Sequence, residues 1–421
     1  MEKLLLIGIN TRGLVNSASK LKNYQTYSVS YFKTADFKDP YKEKHILKQI
    51  PEKTCGFFED NYNFKELLEL SKDYLEEVDK IILSTGLSTT DFKGKFKKYK
   101  KKIIGNAETE ELEDKYKFYK KIKNKFLTPK TFKVKCKFSE NEDLTIPDEI
   151  LEIFKQYKDM SFIIKPLQGS GGYGVNLLNY NIKNKLNNIT LEKIFSYYEG
   201  QEFLIQEYVE GISISSSVLS SKTQAKTIMV SRMLTEHDFG KKNSFKYCGN
   251  IVPFDYSEKK LNTNHVNNIS EEIIEKFKLM GSNGIDMIID KKSENEDPYI
   301  IEVNPRFQGT YESIEEILKI NLLDAHIKAC EGELIEIPKP SPNEYSIKRI
   351  IYSDKSIKVG NLKINNNVYD IPFKDVIIEK DEPLLTIITA KNSMHNAKNI
   401  MESSIRKINK NVISLDYSHK N

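Results

Sequence analysis

Tyr299-Ile300-Ile301-Glu302-Val303-Asn304-Pro305-Arg306 places two kinds of chemistry on one strand. Ile301 and Val303 point to one side, while Glu302, Asn304 and, beyond the proline, Arg306 can point to the other, because strand side chains alternate between faces. An acid, an amide oxygen and a guanidinium therefore share one pocket. Upstream, Gly284-Ile285-Asp286-Met287-Ile288-Ile289 reads as a second strand with a single carboxylate among apolar residues, followed by a polar turn over Asp290–Pro298. If the two strands pair as a hairpin, Asp286 meets Glu302. Two carboxylates and an Asn oxygen form a hard-oxygen site suited to Mg²⁺, which takes few protein ligands and completes its shell with phosphate oxygens.

A phosphate-rich partner is offered by Phe162-Ile163-Ile164-Lys165-Pro166-Leu167-Gln168-Gly169-Ser170-Gly171-Gly172-Tyr173-Gly174-Val175. An apolar strand delivers Lys165, and a glycine-rich turn follows whose bare amides approach a polyphosphate closely. Gly169, Gly171 and Gly174 satisfy GxGxxG, but a dinucleotide fingerprint opens a helix at this point, whereas Val175-Asn176-Leu177-Leu178 reads as another strand. A protein kinase places its lysine on the strand after the loop, and this one comes before it. The segment reads as a hairpin flap closing over phosphates.

Strand, lysine and glycine flap, then an acidic strand, then Glu-x-Asn-Pro-Arg: in this order the chain resembles the ATP-grasp superfamily of ligases. The resemblance implies ATP and Mg²⁺ (or Mn²⁺) as cofactors, Lys165 as the flap lysine, Asp286, Glu302 and Asn304 as the metal site, and Arg306 beside the transferred phosphate. It also implies phosphate contacts from Gly169, Ser170, Gly171 and Gly172. Lys115, in Asp114-Lys115-Tyr116, falls where the family keeps its second nucleotide lysine. Gln206-Glu207-Tyr208-Val209-Glu210-Gly211 is similar to the hinge whose backbone reads adenine. Many members carry a ribose-binding glutamate shortly after that glycine; Ser213 stands there instead, which leaves Glu210 and Ser213 both as ribose candidates.

Each residue alone has a blander reading: a solvated edge lysine, a surface ion pair of little energetic value, a turn acid. Their order and spacing over roughly two hundred residues is what favours the site. Composition agrees with an enzyme. Lys+Arg 65 against Asp+Glu 60 leaves a net charge of +5 in 421 residues, which argues against a dedicated nucleic-acid binder. Lysine runs over 93–102 and 115–125 read as solvated faces. Cys55, Cys136, Cys248 and Cys330 show no metal-ligand spacing, so a reducing cytoplasm is expected. No apolar run is long enough to span a membrane. His237, His265 and His326 fit no catalytic triad pattern and read as structural.

The expected organisation is α/β and α+β. An N-terminal parallel-sheet domain over 1–110, of the Rossmann-like type that precedes an ATP-grasp, opens with an apolar strand at Lys3–Ile9. The ATP-grasp domain follows over 111–332, with a flap-bearing lobe at about 125–211 and a metal lobe at about 212–332. A small C-terminal α+β cap covers 333–421. A single helix is expected over Glu108–Lys125. Ligands sit at carboxyl ends of parallel strands, which makes Arg12 a candidate for a substrate carboxylate; Arg232, Tyr247 and Asn250 are candidates for the acceptor pocket. The resemblance implies a ligase that activates a small-molecule carboxylate as an acyl phosphate and joins it to an amine. A bicarbonate- or formate-using relative, or a nucleotide-binding regulatory protein without turnover, are the alternatives. Small-molecule substrates are the expected partners, with no nucleic acid and no membrane, and a homodimer is left open.

Overall fold

In the computed structural model of the chain, the described residues are 1–54, 62–135, 148–169, 171–178, 198, 200–241, 244–255, 263–291, 297–362 and 365–414. The first sheet has four parallel strands in the order Lys42–Leu47, Tyr24–Phe32, Glu2–Gly8, Lys80–Leu83. Its central strand is apolar at every position from Leu4 to Ile7 because both faces are covered. Leu4 and Leu6 pack with Leu14, Val15 and the helices Tyr311–Leu318 and Leu322–Glu331, whereas Leu5 and Ile7 pack with Tyr27, Leu67 and Leu75. The loop after Lys80–Leu83 emerges at the carboxyl edge and carries Gly86 to Asp91.

A second sheet, antiparallel, runs in the order Thr131–Lys135, Glu202–Glu207, Phe162–Pro166, Asn176–Leu178. Ile164 pairs with Asn176, so the glycine turn joins two paired strands, as the flap reading requires. Phe154, Phe162 and Phe203 fill its underside.

The largest sheet has eight antiparallel strands in the order Tyr299–Asn304, Gly281–Asp290, Gly211–Ser220, Ala225–Thr235, Tyr247–Val252, Tyr345–Tyr352, Pro383–Lys391, Val368–Tyr369. The strands after residue 332 thus continue the sheet that carries Asp286, with Gly249 opposite Arg349. The helix Met394–Asn409 packs its Ala397, Met401 and Ile408 face on the same C-terminal strands. A three-stranded sheet, Ile377–Ile378, Ile357–Val359, Val412–Ser414, completes the end of the chain.

One local reading differs from expectation. The helix foreseen over 108–125 is broken into Glu110–Glu113 and Lys115–Ile122. Asp114 between them is extended (φ −75°, ψ 105°), and its carboxylate accepts from the amides of Tyr116 and Lys117. This N-cap satisfies donors that a continuous helix would have satisfied itself, and it makes Lys115 the first residue of the second helix, where it faces the sheets. The lysine run over 93–102 is a 3₁₀ helix, Gly94–Lys102, that buries Phe96 and Tyr99, and Ile103 makes only a single parallel bridge, to Ile81. Among the described residues no helix is long and apolar enough to cross a membrane.

Candidate active site

Strand alternation and hairpin pairing together put the two carboxylates side by side. Asp286 lies opposite Glu302 in the ladder, and a bulge immediately after Asp286 shifts Met287 onto Ile300, which turns the local strand direction beside the pair. Asp286 is held through both oxygens: Ser215 Oγ donates to Oδ1 at 2.6 Å and Asn304 Nδ2 to Oδ2 at 3.0 Å. Ser215 accepts in turn from Gln308 Nε2 at 2.8 Å, and Gln308 Oε1 accepts from Ser217 at 2.9 Å. Gln308 can cross the sheet there because residue 284 is glycine; a Cβ would lie 1.6 Å from its Nε2. Sequence reasoning missed Ser215, Ser217 and Gln308, although the serine-rich run 213–217 on one strand was a visible signal.

Glu302 takes its charge balance from the helix start. Lys115 Nζ lies 3.1 Å from Glu302 Oε2, and the same nitrogen donates to the Gly169 carbonyl at 2.8 Å. The flap, the second helix and the carboxylate pair therefore meet at one ammonium group. Lys165 is 4% exposed. Burial, with Lys115 close by, pulls its pKa down to about 7, and Glu302 opposes the shift. In the carboxylate pair, burial and the charge of Glu302 push Asp286 up, whereas Glu302, despite its own burial, is held ionised by Lys115 and Lys165. Two buried acids facing each other across the ladder, one of them pushed toward its neutral form, mark a site short of positive charge. A divalent cation would supply it, and the donor set, two carboxylates and an amide oxygen, fits Mg²⁺ whose remaining ligands come from phosphate.

Arg306 donates to the Phe307 carbonyl at 3.1 Å and to Asn304 Oδ1 at 3.2 Å, so its guanidinium is fixed against the metal-site amide. Burial lowers its pKa, and Glu302, Asp286 and Glu113 counter that. A cavity of about 200 Å³ opens in front of it, lined by Lys115, Gly169, Glu302, Asn304 and Arg306 on one side and by Gly86, Ser88, Asp91 and Glu113 on the other. The second wall was not foreseen. Its residues come from the parallel sheet's loop and from the short helix Glu110–Glu113, and no local pattern marks them.

A smaller adjoining cavity of about 30 Å³ is lined by Asn106, Thr109, Arg306 and His326. His326 is the structural residue it was read as. Nδ1 accepts from the Ser282 amide at 2.8 Å, which leaves the proton on Nε2 facing the Ile104 carbonyl at 3.1 Å. Burial lowers its pKa from 6.5 to about 4. The unfolded chain then binds the proton more readily, so stability is fully present above pH 6.5 and declines as pH falls toward 4, by about 1.4 kcal/mol per pH unit. His326→Gln is expected to flatten that part of the denaturation midpoint-versus-pH curve; an unchanged slope would clear His326 of the effect.

The remaining sequence candidates fall elsewhere. Gly169, Gly171 and Gly172 all sit at positive φ in the flap, and Ser170 lies outside the described residues. Gln206 and Glu207 do not present their side chains to the cavity: Gln206 Nε2 donates to Thr131 Oγ1 at 2.8 Å, and Glu207 accepts from the Lys130 amide at 2.9 Å. Tyr208, Val209, Glu210 and Ser213 follow on the crossing from the flap sheet to the large sheet, with Ser213 paired to Ile288. Asn250, 0% exposed, donates to Tyr247 Oη at 2.8 Å, and the pair lies under Gly309, just beyond Arg306. Arg232 pairs with Asp238 at 3.3 Å, away from the cavity lining. Arg12 corrects the expectation most clearly. It is 2% exposed, its Nε donates to Asp370 at 2.9 Å and its terminal nitrogens both engage Glu312. Its donors are occupied by the protein's own carboxylates, so it does not offer a guanidinium to a substrate.

Residues 112–310 match the ATP-grasp domain family. An uncharacterized protein of Methanocaldococcus jannaschii is 32% identical over 396 residues, covering 93% of this chain and 88% of that protein. The chain belongs to the ATP-grasp family. Solved structures share its fold. The biotin carboxylase domain of Hydrogenobacter thermophilus 2-oxoglutarate carboxylase, in complex with MgADP, ADP and bicarbonate, superposes with a TM-score of 0.68 at 16% identity, over 96% of this chain and 89% of that one. N5-carboxyaminoimidazole synthetase of Staphylococcus aureus, complexed with ADP, gives 0.65 at 16% identity, over 96% of each chain.

Proposed function

We propose that the protein is an ATP- and Mg²⁺-dependent ligase that activates a small-molecule carboxylate as an acyl phosphate and joins it to an amine. The observation that carries this reading is the convergence on one cavity of Lys115, Gly169, Glu302, Asn304 and Arg306, with Asp286 behind them as the ladder partner of Glu302. When bound, ATP would supply the phosphoryl group and the divalent ion, held by Asp286, Glu302 and Asn304, would neutralise its charge. The chain's own residues do the rest. Lys115, at the cavity, and Lys165, buried beside it, would orient phosphates. Arg306, held by the Asn304 oxygen, is aimed at negative charge that grows on the transferred group and on the oxyanion that follows. The flap excludes water, which an acyl phosphate would not survive.

Support for an amine as acceptor comes from the wall opposite Arg306. Glu113 and Asp91 line it, and carboxylates favour an ammonium group over a bicarbonate anion. Residues 111–332 would form the ATP-grasp unit in this reading, with 1–110 and 333–421 flanking it. The test is ADP and phosphate release from MgATP in pools of amino acids and amines. Release that requires both an acid and an amine supports the proposal; release that requires bicarbonate alone favours a carboxylating enzyme; nucleotide binding with no turnover in any pool favours a regulatory binder.

A further inference from the structure

We propose that the C-terminal strands latch the glycine flap shut, with Lys246 and Tyr352 as positioning residues. The inference rests on the nucleotide-site reading for its purpose but on separate residues for its geometry. The flap turn, Gly171–Gly174, lies directly on the segment 245–247. The Tyr247 amide donates to the Gly171 carbonyl at 2.9 Å. Gly172, at φ +76°, approaches so closely that a Cβ would lie 1.9 Å from the Phe245 carbonyl oxygen. Tyr247 is engaged from the other side as well, because Tyr352 Oη donates to its carbonyl at 3.0 Å. The backbone of one residue, Tyr247, thus connects the flap to the end of the strand Tyr345–Tyr352.

Lys246 strengthens the same junction. Its ammonium lies 5.0 Å from the ring centroid of Tyr173, in the flap, and 4.1 Å from that of Tyr352, and it donates to the Asp381 carbonyl at 2.7 Å. A cation between two aromatic faces is attracted by both, and the attraction grows as water leaves. The platform under the latch is itself tied: Ser353 donates its amide to the Glu382 carbonyl at 3.0 Å, and Asp381 to that of Ser353 at 2.7 Å. A turn with glycine at three of four positions has little apolar area to dock with, so these few contacts decide whether it lies closed. Nucleotide entry and release require them to break.

The experiment compares wild type with Lys246→Met, which keeps the stem and removes the charge, Tyr352→Leu, and Lys246→Arg, which restores a cation. Hydrogen exchange of the amides over 171–178 is read in the nucleotide-free protein, and dissociation of a fluorescent N-methylanthraniloyl ADP is read in the presence of Mg²⁺. Lys246→Met and Tyr352→Leu are expected to speed both by about tenfold, a shift of about 1.4 kcal/mol in the closed-to-open balance. The global denaturation midpoint should stay near wild type, and Lys246→Arg should restore slow exchange. Tyr352→Phe, which loses only the hydroxyl, decides the same question if Tyr352→Leu does not fold. Wild-type exchange and release rates in Lys246→Met and the Tyr352 variants would overturn the latch. Failure of the wild type to bind the labelled nucleotide would instead sink the nucleotide-site reading, and the exchange measurement alone would then decide the latch.

Discussion

Glu302→Gln is expected to lower metal-dependent ATP turnover by on the order of a thousandfold, about 4 kcal/mol of barrier. The substitution keeps the side chain's size and removes one negative charge from the place where three groups depend on it. Lys115 loses its 3.1 Å ion pair, Lys165 loses the charge that supports its ammonium form, and a divalent ion bound as proposed would lose one of its two carboxylates. The fold should survive, because glutamine keeps the side chain's volume and its capacity to hydrogen-bond. The measurement is ADP release at saturating substrates beside a denaturation curve. Wild-type turnover in a folded Glu302→Gln protein would remove Glu302 from the site, and a loss of turnover that merely tracks unfolding would be uninformative about metal and is checked by the second readout.

Arg12→Met is expected to destabilise the protein by about 3–5 kcal/mol, the usual cost of removing one partner from a buried charge cluster. Arg12 lies at the start of the helix Arg12–Ala18 and joins Glu312, from the helix that follows Arg306, to Asp370, from the C-terminal part of the chain. Its neighbours hold it firmly charged: burial opposes the charge, but Asp370 and Glu312 raise its pKa. Lys348, which donates to Glu312 at 2.6 Å and to the Gly309 carbonyl at 3.1 Å, would be left as the main compensation for both acids. The double variant Arg12→Met/Glu312→Leu should recover part of the loss, since an apolar replacement of both partners leaves less charge uncompensated. Urea denaturation reads both. A single-variant loss below about 1 kcal/mol would mean that the cluster is solvated in practice and carries no structural role.

Much of the site was legible in the chain. Residues 301–304 alternate apolar and polar, which is enough to say that Glu302 and Asn304 share a face, and the polar turn between two short apolar runs implies the hairpin that sets Asp286 against Glu302; the bulge beside that pair puts Ile300, not Ile301, in the core with Val303. The glycine run after Lys165, followed by the short strand-like stretch Val175-Asn176-Leu177-Leu178, implies a second hairpin, and Ile164 pairs with Asn176 as that demands. Even the helix break carried its mark, an aspartate ahead of Lys115 that serves as N-cap, although the continuous run of helix formers concealed it.

What these readings have in common is range. Side-chain period and turn chemistry act within a few residues, so the shared strand face and the position of the flap turn can be read from the linear chain. The partner of a charge is a different matter, because it depends on which distant surfaces come to rest together. Arg12 meets residues 300 and more positions away, Lys115 reaches across to Glu302, and Asp91 and Glu113 face Arg306 only because the parallel sheet docks against the antiparallel one. Those choices are made by burial of shared apolar surface between segments that carry no sign of each other in the linear chain, so they emerge only once the packed layers are in place.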